Sequence, residues 1–191
     1  MKVIGFTSNY GAHEEAPRCY LMADSSILYT GRPFFLPDFA HHFVAVPTIV
    51  VRTGRLGKCI APKFAHRYWD ALTAGFTVQA VNGDDDRLTV LDRAFDGSII
   101  VGEWVDAASM PSALDAEVRL MVNGDVAARC SLGDMRHQLA DLLAAVSTRC
   151  SIKMGDLLIT GDAGDGHVLA PGDRLTASVD GNPVLDVKVK L

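Results

Sequence analysis

Along most of the chain, apolar residues alternate with polar ones or form short runs, which is the pattern of β-strands. The clearest run is residues 44–53, which contains five apolar β-formers, Val44, Val46, Ile49, Val50 and Val51. Pro47 interrupts it, and proline cannot donate a ladder hydrogen bond, so the pattern predicts an edge strand or a bulge there. Similar patterns predict strands at residues 2–7, 98–105, 117–122, 157–160, 174–179 and 184–189.

Two segments have helical spacing instead. Residues 134–149 can begin at Asp134 as the capping residue and then carry an apolar stripe at Met135, Leu139, Leu142, Leu143 and Val146. Residues 64–73 predict a shorter helix that turns its apolar side chains to the core: Phe64, Tyr68, Trp69 and Leu72.

Turn signals and length complete the prediction of fold class. Asn123-Gly124 is a strong hairpin signal between two strands. The 191 residues suit one domain spanning 1–191, and the chain contains no internal repeat or linker-like shift in composition. The sequence therefore predicts one α+β domain, rich in β-structure and with short helices.

Composition narrows the classes of function. The formal net charge is -5 and no basic stripe is present, which argues against nucleic-acid binding. No apolar window approaches the length of a membrane-spanning helix, and the N-terminus lacks the features of a signal peptide. Four separated cysteines without a C-x-x-C motif fit reduced thiols, so a cytoplasmic location is predicted: Cys19, Cys59, Cys130 and Cys150.

Seven motifs, taken in order, resemble those of the fumarylacetoacetate hydrolase family. The first is Asn9-Tyr10-x-x-His13, which resembles the NYxxH motif of these enzymes. The others are RPFFLPDF at 32–39, RLGKCI at 55–60, RAFDG at 93–97, VNGDVAARCSLGDM at 122–135, MGDLLITGDAGDG at 154–166 and LAPGDRL at 169–175. The resemblance covers nearly the whole chain.

This resemblance implies a fold and a chemistry. The fold would be the mixed β-sandwich-like roll of the family's C-terminal domain, usually as a homodimer. The family's pocket holds Mg²⁺ or another divalent cation beside a small 2-keto acid or 1,3-diketone, and its members hydrolyse, isomerise, hydrate or decarboxylate such compounds. The metal stabilises the developing enolate, and a His with a nearby Glu handles water or protons.

The family's metal ligands are replaced in this chain. Its Glu-x-Glu pair corresponds to Val46 and Thr48, and its third ligand, an Asp, to Thr77, with Val81 as the alternative position. Mg²⁺ requires hard oxygen ligands and usually carboxylates. The resemblance therefore implies a vestigial site without a metal cofactor. Residues 44–60 are expected to form a strand, a turn and a strand, with Val46 and Thr48 facing one cavity.

Other positions of the implied site have changed as well. His13 remains as a candidate catalytic residue, but the Glu that would partner it corresponds to Ala16. Arg93 replaces the pocket Lys, which keeps the charge and changes the donor geometry. The implied substrate-binding segment is Thr160, Gly161 and Asp162, in which Asp162 replaces a Thr.

Three functions remain open at this point. The first is a relative that is catalytically impaired, binding a small anionic metabolite or assembling with an active relative. The second is an active C–C hydrolase or isomerase of small 2-keto acids with a rebuilt or metal-free site, and the third is a structural subunit. Two acidic segments, residues 84–86 and 162–167, are interpreted as a solvated turn and a glycine-rich turn rather than cation sites.

Overall fold

The computed structural model describes residues 1–12, 18–82 and 89–191. The strands of these residues are β1 Val3–Phe6, β2 Cys19–Met22, β3 Ile27–Tyr29, β4 Phe34–Phe35, β5 His42–Thr53, β6 Trp69–Val81, β7 Ile99–Val101, β8 Val105–Asp106, β9 Val118–Val122, β10 Asp125–Cys130, β11 Leu157–Ile159, β12 His167–Val168, β13 Arg174–Val179 and β14 Asn182–Lys190. The α-helices are α1 Val90–Arg93 and α2 Leu139–Arg149. Short 3₁₀ helices lie at Asp24–Ser26, Pro62–Arg67, Ala107–Ser109 and Leu132–Asp134. No helix in the described ranges is long and apolar enough to cross a bilayer.

The strands form two sheets. The large sheet has the order β2-β1-β11-β5-β6-β7-β3, with β12 added to β5 and β8 added to β6. The second sheet has the order β10-β9-β13-β14-β4. Most pairs are antiparallel, but β1 pairs in parallel with β11, β3 with β7 and β4 with β14. This β-rich α+β architecture confirms the predicted fold class.

Both faces of the large sheet are buried, which explains why its long strands are apolar at nearly every position. Along β5, alternate residues such as Phe43, Ile49 and Val51 belong to the main core, which also takes side chains from the second sheet and α2. Val50, on the other face, belongs to a second apolar cluster with residues of β1, β7 and β11. Val46 and Thr48 share this second face because they are four and two residues from Val50, respectively.

The prediction of an edge strand or bulge at Pro47 is wrong. β5 lies inside the large sheet, and Pro47 pairs in regular register with Phe76 of β6. On its other side, β5 pairs with β12 at residues 44–45 and with β11 at residues 50–52. Pro47 falls between these pairings, where only its carbonyl is used, accepting a hydrogen bond from the Ala163 amide. The missing amide hydrogen therefore interrupts no ladder.

The prediction of a helix over residues 64–73 is wrong beyond its first turn. A 3₁₀ helix ends at Arg67, and β6 begins at Trp69. Phe64, assigned to the buried side, is 42% exposed. Since both faces of β6 are buried, its apolar residues do not alternate with polar ones, and a short run of this kind has the same pattern as a helical face.

Two other boundaries differ from the predictions. α2 begins at Leu139 with Gln138 as its capping residue, whereas Asp134 belongs to a capping box with Ser131 on the preceding 3₁₀ helix. The predicted apolar stripe of α2 is buried as expected. Residues 54–60 form no second strand; they make one bridge, between Gly57 and Ile152. The hairpin at Asn123-Gly124 is confirmed, since both residues have the positive φ of such a turn.

Candidate functional site

The three positions that correspond to metal ligands lie on one face of two paired strands. Val46 of β5 is directly opposite Thr77 of β6, and Thr48 is directly opposite Gly75. Directly opposite residues place their side chains on the same face, so the three side chains are neighbours. Thr48 is fully buried, and Val46 and Thr77 are buried almost completely.

A cavity of about 530 Å³, here called the site cavity, opens beside Val46. Its wall is built by the loop after β1, by β5 and β6, by α1 and by the loop after β11. Its polar and charged side chains include Gln79, Arg93, Asp162 and Asp165. Among the described residues, Arg93 is the one cationic group of this wall, and the two carboxylates face the same space.

Asn9 anchors the loops that form the floor of this cavity. Its side-chain amide donates to the carbonyls of Thr160 and His137, both at 3.1 Å. Its side-chain oxygen accepts from the amide of His137 at 2.9 Å, and its own carbonyl accepts from the amide of Arg136. A fully buried asparagine thus joins the loop after β1, the loop after β11 and the segment before α2.

Thr160 and Gly161 lie behind the cavity wall. The Thr160 hydroxyl donates to the carbonyl of Ile49 at 3.0 Å and lies 2.9 Å from the Tyr10 hydroxyl. The Gly161 carbonyl accepts from the Thr48 hydroxyl at 2.7 Å. Both residues are buried, so they position the loop, and of the predicted substrate-binding segment it is Asp162 that lines the cavity.

Arg93 and Asp162 both act on Tyr20 of β2. The Arg93 guanidinium lies 5.5 Å from the centre of the Tyr20 ring, a cation–π contact. Burial, reinforced by the negative charge of Asp162 and opposed by Arg93, raises the pKa of Tyr20 to about 12. Tyr20 is therefore a neutral phenol at physiological pH, and its ring packs against the Arg93 guanidinium.

The side chains at the three inherited positions do not fit a divalent cation. Val46 has no donor atom, and the Thr48 hydroxyl is engaged with the Gly161 carbonyl. The Thr77 hydroxyl is buried and has no hydrogen-bond partner within the described residues. Mg²⁺ needs several oxygen ligands, usually with one or more carboxylates. In the described ranges, no group of three or more His, Cys, Asp or Glu residues is arranged to hold a metal.

Some predicted positions lie elsewhere. His13 and Ala16, the implied lid residues, are outside the described residues, and so is the acidic turn at residues 84–86. Val81, the alternative third position, is the last residue of β6 and pairs with His42, the first residue of β5. His167 of the glycine-rich turn contacts Asp173 at 3.0 Å.

Sequence reasoning missed two residues of the site. Gln79 lines the cavity two residues after Thr77 in β6, and a polar residue at that spacing in an apolar strand was a usable signal. Tyr20 had no such signal, because its role depends on how β2 packs beside α1.

Comparison with known proteins places this geometry in a family context. Residues 4–190 match the family model described as fumarylacetoacetate (FAA) hydrolase C-terminal. The chain is 27% identical over 202 residues to oxaloacetate tautomerase YcgM of Escherichia coli (strain K12), a match that covers 95% of this chain and 89% of that protein.

Solved structures share the fold. A 5-carboxymethyl-2-hydroxymuconate delta-isomerase from Mycobacterium smegmatis superposes with a TM-score of 0.87 at 24% identity, covering 99% of this chain and 78% of the other. The fumarylpyruvate hydrolase of Pseudomonas aeruginosa, solved in complex with Mn²⁺ and pyruvate, has a TM-score of 0.86 at 19% identity and covers 100% of this chain and 90% of its own.

Proposed function

Because this chain belongs to the fumarylacetoacetate hydrolase family, we propose that it binds a small 2-oxo acid in the site cavity without a divalent metal. The observation that carries the proposal is the shared strand face of Val46, Thr48 and Thr77, of which Val46 lines the cavity while the two threonines are buried behind it. This face carries no carboxylate: Val46 has no donor atom, the Thr48 hydroxyl is engaged with Gly161, and the Thr77 hydroxyl is a single neutral oxygen. The family's metal-dependent step has no ligands at these positions.

The choice of ligand rests on the cation that the cavity retains and on the family's substrates. Arg93 lines the cavity and is held against the Tyr20 ring. A guanidinium binds a carboxylate through two parallel hydrogen bonds, and it needs no metal to do so. The relatives act on or bind compounds of this class: one is an oxaloacetate tautomerase, and one was solved with pyruvate.

Titration calorimetry with pyruvate and oxaloacetate tests this function. We expect saturable binding that is unchanged by EDTA or by added Mg²⁺, and a loss of at least about tenfold in affinity for Arg93→Gln. Arg67→Gln is the matched control, because Arg67 is exposed on the 3₁₀ helix and contacts Phe64 instead. Binding that requires Mg²⁺ would contradict the proposal, and so would equal affinities of Arg93→Gln and the unchanged protein.

A second candidate, metal-free enolisation, is favoured by one observation: Asp162 lines the same cavity as Arg93, and both act on Tyr20. Asp162 would take a proton from the carbon next to the keto group, and Arg93 would stabilise the enolate oxygen. Return of the proton to that oxygen would give the enol, which is a tautomerisation.

Deuterium exchange distinguishes the two candidates. An enolising enzyme would replace the methyl protons of pyruvate with deuterium from D₂O, as followed by proton NMR, and Asp162→Asn would stop the exchange while binding persists. Binding without exchange supports the first candidate. The predicted homodimer, and assembly with an active relative, are separate proposals that sedimentation of the purified protein would test.

A further inference from the structure

A second and larger cavity lies beside the site cavity. It is a groove of about 1010 Å³ between β2, α1 and α2, here called the apolar groove. Its wall is mostly hydrocarbon, with Leu21, Met22, Leu142 and Val146 among its lining residues. Leu21 is 54% exposed although it is a leucine on a strand, so the groove presents apolar surface to solvent.

The two cavities meet at Arg93, which lines both of them. Tyr20 lines the apolar groove, and its ring contacts the Arg93 guanidinium. The pKa of Tyr20 is raised by burial and also by the negative charge of Asp162, which lines the site cavity. Arg93 therefore faces both a cavity with polar side chains and an apolar one. A ligand whose carboxylate binds Arg93 can therefore extend its remaining atoms into the apolar groove.

We propose that the apolar groove holds the aliphatic chain of an amphipathic 2-oxo acid whose carboxylate binds Arg93. This inference rests on the proposed function and names its substrate class. The volume is at the upper end of the range that ligand pockets span, about 300–1,000 Å³, which suits a chain of several methylenes rather than a three-carbon acid.

Few charged side chains line the groove. Its charged lining residues besides Arg93 are Asp141, at the start of α2, and Arg149, at the end of α2. Arg149 donates to the carbonyl of Ala145 within its own helix, and Asp141 is exposed. The thiol of Cys19 in the wall is kept neutral, because burial raises its pKa. The stretch between the helix ends therefore offers methylene groups an uncharged surface.

The test compares the affinity of the whole protein for pyruvate and for 2-oxooctanoate by calorimetry. Each buried methylene strengthens binding by up to about fourfold, so we expect 2-oxooctanoate to bind at least about tenfold more tightly than pyruvate. Ala145→Trp would fill the groove and abolish this preference while leaving pyruvate binding unchanged. Ala108→Trp, at an exposed alanine of a 3₁₀ helix outside the groove, is the matched control.

A second variant tests the groove independently in case Ala145→Trp does not fold. Leu21→Asp changes an exposed side chain of the groove, so the fold tolerates it, and the new charge should remove most of the preference for the longer acid. Equal affinities of the unchanged protein for the two acids would overturn the groove assignment and leave the proposed function intact. If neither acid binds, the proposed function fails, and the groove assignment fails with it.

Discussion

Asn9 packs so closely on Gly161 that no side chain fits between them. A Cβ built on Gly161 would lie 2.7 Å from the Asn9 Cβ, and Gly161 has a φ of +130°, which side-chain-bearing residues rarely adopt. The same asparagine holds Thr160 and the segment before α2 by hydrogen bonds. The loop that carries Asp162 therefore depends on a glycine for both its space and its backbone conformation.

Gly161→Ala should lower the free energy of unfolding by about 3 kcal/mol or more, because it adds a clash to backbone strain. Gly172→Ala is the matched control: Gly172 also has a positive φ, +99°, but a Cβ there would meet nothing within 4 Å. We expect the control to cost about 1 kcal/mol. Urea denaturation measures the free energy of unfolding of both variants. Equal losses would show that Asn9 shifts to accommodate the added methyl group.

Thr48→Val should destabilise the protein by about 1–3 kcal/mol, since the buried Gly161 carbonyl loses the hydroxyl that donates to it at 2.7 Å. Thr77→Val is the comparison on the facing strand, where the hydroxyl is buried without a hydrogen-bond partner in the described part of the chain. Its removal should be neutral or stabilising. Thermal denaturation of the two variants measures this difference. A larger loss of stability for Thr77→Val than for Thr48→Val would show that the Thr77 hydroxyl, and not the Thr48 hydroxyl, makes the stabilising hydrogen bond.

The unchanged protein should show no saturable micromolar site for Mg²⁺ or Mn²⁺, whereas Val46→Glu combined with Thr48→Glu and Thr77→Asp should create one. The register already directs these side chains to one face. The carboxylates repel one another without metal, so the variant should be less stable at neutral pH and regain stability on addition of Mg²⁺.

The neutral counterpart of this triple variant carries Gln, Gln and Asn at the same positions. It keeps the size of the new side chains and removes their charge, so its melting temperature should not respond to Mg²⁺. A charged variant that folds but also fails to respond would mean that the three positions do not converge on a cation.

Asp156→Asn should lower the free energy of unfolding by about 2–4 kcal/mol at pH 7. Asp156 is buried and accepts hydrogen bonds from Lys2 and from the Lys153 amide. Burial alone would raise the pKa of this carboxyl, but the hydrogen bonds and the charge of Lys2 outweigh it, so the pKa lies below its ordinary value.

The pH dependence of this difference follows from the sign of the shift. A lowered folded-state pKa contributes stability that is full above the unfolded pKa of about 4 and is lost as the pH falls through the folded value. The gap between the unchanged protein and Asp156→Asn should therefore be constant from pH 7 to 5 and shrink at lower pH. Asp125→Asn, at an exposed strand residue, should show no such change.

Sequence reasoning succeeded where local chemistry decides the structure. The crowding of β-formers around Ile49 predicted β5. Asn123-Gly124 predicted the hairpin between β9 and β10, because a turn with two positive φ angles requires such residues. The spacing of Val46 and Thr48 placed them on one face of β5, because strand residues two apart point to the same side.

Errors arose where partners distant in sequence decide the structure. Pro47 is tolerated inside a sheet because β11 and β12 leave a gap beside it, and this arrangement is invisible in a local pattern. Trp69 begins a strand instead of lying inside the predicted helix over residues 64–73, because both faces of β6 are covered. Likewise, the apolar groove needs β2, α1 and α2 side by side, and no motif encodes that proximity.

The parallel pairing of β1 with β11 has a consequence for synthesis. Val3 leaves the ribosome more than 150 residues before its partner Leu157. At typical elongation rates, about 10–30 seconds pass between the synthesis of β1 and the synthesis of β11. During this interval β1 can pair with β2, but the edge that will pair with β11 is exposed. An exposed strand edge can form hydrogen bonds with strands of other chains. Nascent chains halted before residue 157 should therefore be the most prone to aggregate and the most dependent on chaperones.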